Sequence, residues 1–315
     1  MNLLEKAFAR ISTRDNELNR PCALEKSINF IRKINDPIFS EVSIVQNSED
    51  KTYLLLREIA ADSKNTMTRF IADSSSRRAI SCEYIVKLVD QSTVSQQSFC
   101  GSTYTLRQFF EFPKHDLRRE IDRRMQSNTP FTSIEMSHLS YQLLIALQHL
   151  QEKNCVHGQV SPSAVGMNQE GPIKVKLKFV GDEQTQNIRG NHIRLLQSRA
   201  MFYVSPGFYR SLVKKDEHYV MDAVSEEVFA LGLTLLEAGT LRSIQNIYLL
   251  DGSFDETEFN RLKEEFRSRY NQEAKLMVSM MDNLLQMEDS RPTFKDMLDA
   301  MPKYQEVCDF FKNAK

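Results

Sequence analysis

His157-Gly158-Gln159-Val160-Ser161-Pro162-Ser163-Ala164-Val165 is the stretch on which the reading of this chain turns. It follows Ser137 to Leu150, where apolar residues recur at spacings of three and four, the pattern of an amphipathic helix. A short β-type pair comes next, Ala164 to Met167 and Ile173 to Val180, joined across Gly171-Pro172, a turn signal. Further on, Val228 to Ala238 and Glu273 to Met287 repeat the helical spacing, so the second half of the chain reads as mostly helical.

Upstream the texture is different. Phe39 to Val45, Thr52 to Ile59, Ile85 to Val89 and Tyr104 to Phe112 read as strands, with one helix over Asn65 to Ala79. Before them, Leu3, Leu4, Phe8, Ile11, Leu24, Ile28 and Ile31 carry helix-like spacing, which predicts a helical extension over residues 1–33. The expected organisation is α+β and bilobal. A small antiparallel β lobe with one helix spans 34–112, and a larger, mostly helical lobe spans 113–315.

The 41 basic and 42 acidic side chains nearly cancel, so no global field would draw the protein onto nucleic acid or a membrane surface. The runs Arg118-Arg119 and Arg123-Arg124 read as a solvated helix face. No window reaches the roughly 18 consecutive apolar residues of a membrane span. The N-terminus also lacks a signal-peptide pattern, so the expected location is cytoplasmic. Cys22, Cys82, Cys100, Cys155 and Cys308 never fall in C-x-x-C spacing, which argues against a disulfide framework and a zinc site.

Four segments carry a resemblance. Tyr141 to His157, with Pro162 beyond it, resembles the helix and catalytic loop of a eukaryotic protein kinase. Tyr203-Val204-Ser205-Pro206-Gly207 resembles the end of an activation segment, and Glu227-Val228-Phe229-Ala230-Leu231-Gly232 the buried helix that follows. Ser290-Arg291-Pro292-Thr293 is similar to the late Arg-Pro element of the large lobe. The likeness covers about Ile34 to Lys303 and implies a protein-kinase-like fold, in a degenerate member.

Degeneracy follows from the chemistry that the kinase motifs require. In H-R-D-L-x-x-x-N the Asp accepts the substrate proton and the Asn holds a magnesium ion. Gln159 and Ala164 stand at those two positions. An amide accepts no proton near pH 7 and a methyl group offers a hard cation no oxygen. Aligning Val42 with the valine that ends the Gly-rich loop puts Asn35, Pro37 and Ser40 where the glycines belong. Arg57 falls at the strand lysine and Leu55 at the small residue over the adenine ring, while Asp73 aligns with the helix glutamate and would pair with Arg57. D-F-G aligns with Phe179-Val180-Gly181, so a ring replaces the main metal carboxylate, and Asp182 and Glu183 are the nearby acids that a slip could bring to a cation. Phe110-Glu111-Phe112 reads as gatekeeper and hinge. Gly207 replaces the acid that would pair with Arg291, which must then find another partner or lie exposed.

The resemblance with these losses implies a pseudokinase: an intracellular signalling scaffold or allosteric module that binds other proteins, among them an active kinase or its substrate. No cofactor is then expected; ATP remains a candidate ligand through Val42, Arg57, Asp73, Phe110, Glu111 and Phe112, and magnesium is not expected. Two alternatives stay open. One is an atypical Ser/Thr protein kinase using Asp182 or Glu183 for the metal. The other is nucleotide binding without turnover, in which ATP stiffens the fold.

Overall fold

Alternation with a period of two builds the first part of the chain. The computed structural model describes residues 20–98, 101–168, 173–181, 187–271, 275–287 and 291–300. Strands β1 (Ile28–Asp36), β2 (Ser40–Asn47), β3 (Tyr53–Ala61), β4 (Leu88–Ser98) and β5 (Gly101–Glu111) form an antiparallel sheet in the order β1-β2-β3-β5-β4. Helix α1 (Lys64–Arg78) starts at Ser63, whose hydroxyl accepts from the Thr66 amide at 3.2 Å, an N-cap. It packs Met67 against Ala61, Tyr104 and Leu106 of β3 and β5.

Two expectations for this region are corrected. The helical extension to Lys33 does not form among the described residues, and residues 1–19 lie outside them. From Arg20 the chain bridges Thr93 on β4, makes a 3₁₀ turn over Ala23–Lys26 and enters β1. Cys22, Leu24 and Ile28 cover a cluster of Val45, Leu54, Leu56 and Phe109, while the Glu25 carboxylate accepts from Ser92 Oγ at 2.6 Å and Arg107 Nη1 at 3.0 Å. This segment is a strap over one face of the sheet; helix spacing misled because Ile31 is exposed on the edge strand rather than in line with Ile28. The strand expected over Ile85 to Val89 instead starts at Leu88 and runs to Ser98. Its run Gln91 to Ser98, polar except for Val94, pairs with β5 along the sheet edge, where alternation carries little apolar signal.

Spacing of 3.6 builds the remainder. A small sheet of β6 (His115–Asp116), β7 (Val165–Met167) and β8 (Val175–Leu177) accompanies helices α2 (Leu117–Ser127), α3 (Ser133–Glu152), α4 (Ile188–Gln197), α5 (Pro206–Val213), α6 (Ala223–Thr240), α7 (Glu256–Tyr270), α8 (Lys275–Leu284) and α9 (Phe294–Asp299). Thr132 and Glu135 form a reciprocal capping box at the start of α3. Every residue of α6 from Ser225 to Thr240 is buried, so α6 is the axis of this region. Gly232 lets α8 approach, since a Cβ there would lie 2.7 Å from the Leu285 side chain.

The basic quartet on α2 is also corrected. Arg119 and Arg123 are exposed, but the Arg118 side chain is only 17% exposed and pairs with Glu237 of α6 at 2.8 Å. Arg124 bridges Glu120 and Glu135, both at 2.6 Å, and its guanidinium lies 3.9 Å over the Phe131 ring. Two of the four arginines therefore tie α2 to its neighbours.

The chain is α+β and its contacts divide it into two units. The smaller holds the described residues of Met1–Ser81, Val86–Phe112 and Val180–Asp182. The larger holds those of Cys82–Ile85, Pro113–Phe179 and Glu183–Lys315. Among the described residues, no helix is long and apolar enough to cross a membrane.

Candidate functional site

In the large unit the loop after α3 is held by buried polar bonds. His157 Nε2–H donates to the Lys178 carbonyl at 2.6 Å, and Nδ1 accepts from the Gln159 amide at 3.2 Å, which fixes the neutral tautomer. Burial lowers the imidazole pKa to about 4. Gly158, at φ 78° in the left-handed region that favours glycine, turns its N–H to Glu227 Oε1 at 2.6 Å. Full burial raises the Glu227 pKa to about 8, so this carboxyl is protonated at neutral pH even though the Gly158 and His157 amides favour its charged form.

Ala164 and Phe179 are buried, and the Phe179 ring lies 5.9 Å from the His157 ring. Gln159 is half-buried and shares a cavity of about 20 Å³ with Ile188 and His192 of α4, Tyr203 and Glu227. That is room for roughly one water molecule. His192 Nδ1–H donates to the Ile188 carbonyl at 2.9 Å and its ring meets Phe208 edge-on at 5.3 Å, anchoring α4 beside Gln159.

Immediately before Phe179 stands Lys178, 3% exposed, whose ammonium lies 3.8 Å from Asp116 Oδ2. Asp116 also caps α2, accepting from the Arg119 amide at 3.0 Å. Asp182 and Glu183 lie outside the described residues, and among those described no three His, Cys, Asp or Glu side chains are grouped to hold a metal.

The small unit brings most of its expected residues together, but as core. Asp36 Oδ1 accepts from the amides of Ile38 at 2.9 Å and Phe39 at 3.1 Å, closing the β1–β2 turn, and Ser40 takes a left-handed φ of 63°. The turn points Phe39 inward, 4.7 Å from the Phe110 ring. Val42, Ile44, Leu55, Val86, Leu88 and Val180 complete the cluster, with Phe112 packed on its margin. Glu111 Oε2 accepts from the Lys87 amide at 2.9 Å.

Arg57 and Asp73 are half-buried on β3 and α1. Arg57 Nη1 donates to Gln108 Oε1 at 3.3 Å, Gln108 Nε2 donates to Ser74 Oγ at 2.8 Å, and Ser74 Oγ donates to Gln91. A largely neutral relay therefore tethers α1 to the sheet beside these two residues. The signal for Phe39 was readable in the sequence, a large apolar ring between the turn residues Asp36-Pro37 and the strand that follows; Ser74, Gln91 and Gln108 carried none.

Arg291 does find other partners. It donates from Nε to the Gln286 carbonyl at 2.8 Å and from Nη1 to Ser225 Oγ at 2.8 Å, and stacks 4.7 Å over Phe229. The neighbouring Glu226 accepts from the Ser205 amide at 3.0 Å and from Ser205 Oγ at 2.6 Å, tying α6 to the start of α5. Burial raises the Glu226 pKa, while the Arg291 charge and the Ser205 bonds pull it down. No protein-family model matches this sequence, and no curated protein is significantly similar to it.

Proposed function

We propose that the chain is a protein-kinase-like domain that has lost phosphoryl transfer, a pseudokinase that works by binding other proteins. The observation that carries this reading is the exchange around His157: a buried polar frame of His157, Gly158 and Glu227 is kept, while the reactive positions hold Gln159, Ala164 and Lys178. In D-F-G the acid precedes a packed ring. Phe179 is the ring packed on His157, so by role Lys178 rather than Phe179 takes the acid's place, one residue earlier than the spacing alone suggests. A buried ammonium repels the cation that a carboxylate would hold.

Two further features support the reading. The cluster around Phe39 and Phe110 fills with carbon the sheet face on which the kinase likeness would seat the base of a nucleotide. Helix α4, in the stretch that resembles an activation segment, places Ile188 and His192 beside Gln159, with a cavity of only about 20 Å³ among them.

The reading is tested by thermal melting with ATP, with and without magnesium. The expected result is no shift under either condition. A shift that requires magnesium would support the atypical kinase, and one that ignores magnesium would support nucleotide binding without turnover.

A further inference from the structure

On the face of the five-stranded sheet opposite α1, the buried side chains of Val45, Leu54, Leu56 and Phe109 lie under the strap that runs from Arg20 to Ile28. The cover is thin: no residue of the turn Ala23–Lys26 is buried, and Cys22, Leu24 and Ile28 are only half-buried. Beside the apolar row, Glu58, Arg107 and Ser92 stand next to one another across β3, β5 and β4. Glu25 reaches down to them, its Oε1 accepting from Ser92 Oγ and Arg107 Nη1, while Arg107 Nε donates to Glu58 at 2.9 Å. Ser92 is 1% exposed, and the acceptor for its hydroxyl is the Glu25 carboxylate. Where the strap ends, Phe30 stands opposite Val45 in the β1–β2 register and so on the same face, yet it is 62% exposed.

We propose that this face is a docking site for an apolar segment of a partner protein that carries one glutamate, and that the strap is the chain's own occupant, displaced when the partner binds. The strap shows what the face recognises: Leu24 directly followed by Glu25, with Ile28 four residues after the leucine. A segment without the acid would leave the Ser92 hydroxyl buried with no acceptor, and one without the apolar residues would leave the row of Val45, Leu54, Leu56 and Phe109 open to water. A glutamate in trans restores both bonds, one of them to a charged donor. Phe30 offers a longer segment an apolar contact that the strap does not use. Because the strap is tethered, it competes at high effective concentration, so a short copy supplied in trans binds weakly until the strap is loosened. Neither the strap nor this face depends on the kinase likeness, so phosphate transfer by the chain would refute the pseudokinase reading and leave the docking site standing.

The test uses the full chain and a fluorescent peptide copying residues 20–28 with Cys22→Ser, extended by two leucines toward Phe30, and a twin that also carries Glu25→Gln; binding is read by polarisation. In the chain, Glu25→Arg loosens the strap by setting a second guanidinium against Arg107, and Leu24→Asp loosens it from the apolar side should the first variant fail to fold. The expected result is at least tenfold tighter binding of the peptide to a loosened chain than to the wild type, and at least fivefold weaker binding of the twin. Arg107→Ala added to the loosened chain should reduce that preference to less than twofold, and Phe30→Ser should weaken the peptide at least threefold. In the wild type, saturating peptide should speed alkylation of Cys22, followed by mass spectrometry, at least fivefold. No binding to either loosened chain, equal binding of peptide and twin, or Cys22 alkylation that ignores the peptide overturns the proposal. A wild-type chain that dimerises and excludes the peptide also overturns it, in favour of strap exchange between two copies.

Discussion

The β1–β2 turn of the small unit and the His157 loop of the large unit differ in kind. The first is filled with apolar side chains: Phe39 is turned into a cluster with Phe110, Val42 and Leu55. The second is held by buried polar bonds, from His157 to the Lys178 carbonyl and from Gly158 to Glu227. Apolar packing tolerates any ring of suitable volume, whereas a buried amide must keep an acceptor. On the proposed reading, a polar frame of this kind would be retained after its chemistry had gone.

The comparison breaks most readily on the apolar side. Phe110→Ala should cost about 3–5 kcal/mol in urea unfolding, the usual cost of emptying a buried phenylalanine site. A cost below about 1 kcal/mol would mean that the cluster is not packed as described. In the large unit, Arg118→Ala leaves Glu237 buried with Tyr203 as its remaining donor among the described residues, at 2.5 Å, and should cost about 3–5 kcal/mol.

The retained frame has a pH signature. Folded Glu227 holds its proton up to about pH 8, whereas the unfolded carboxyl releases it near 4.5, so rising pH costs the fold about 1.4 kcal/mol per unit between those values. His157 acts in the opposite sense and lower: neutral in the fold down to about pH 4 against 6.5 when unfolded, it weakens the fold as pH falls below 6.5. From pH 6.5 to 8 only the glutamate of this pair changes its contribution. Stability should therefore fall by about 2 kcal/mol over that window, and Glu227→Gln should remove the fall. An identical pH slope in the variant would refute a protonated Glu227. The smallest effect is expected at Arg123, 58% exposed on α2, where Arg123→Ala should cost under about 1 kcal/mol and lose even that in high salt.

Much of this was legible where one local rule dominates. The apolar spacing of Ser137 to Leu150 places α3, and Asn65 to Ala79 closely matches α1. The strap and β1 were not legible, because an edge strand that exposes Phe30 and Ile31 has no inward alternation to read. Arg118 and Arg119 are neighbours of one type in the sequence, and only the arrival of Glu237 from α6 buries one and leaves the other in water. Lys178 was hidden for the same reason: its place beside Asp116 is decided by the return of β8 toward the start of α2, which no spacing in the sequence records.

The central claim is the proposal that the chain is kinase-like and no longer transfers phosphate. Its most direct test is the transfer of the ATP γ-phosphate, with magnesium, to a generic protein acceptor by the purified chain. The account predicts a rate no higher than the background without protein. Turnover that disappears in Arg57→Ala would contradict it.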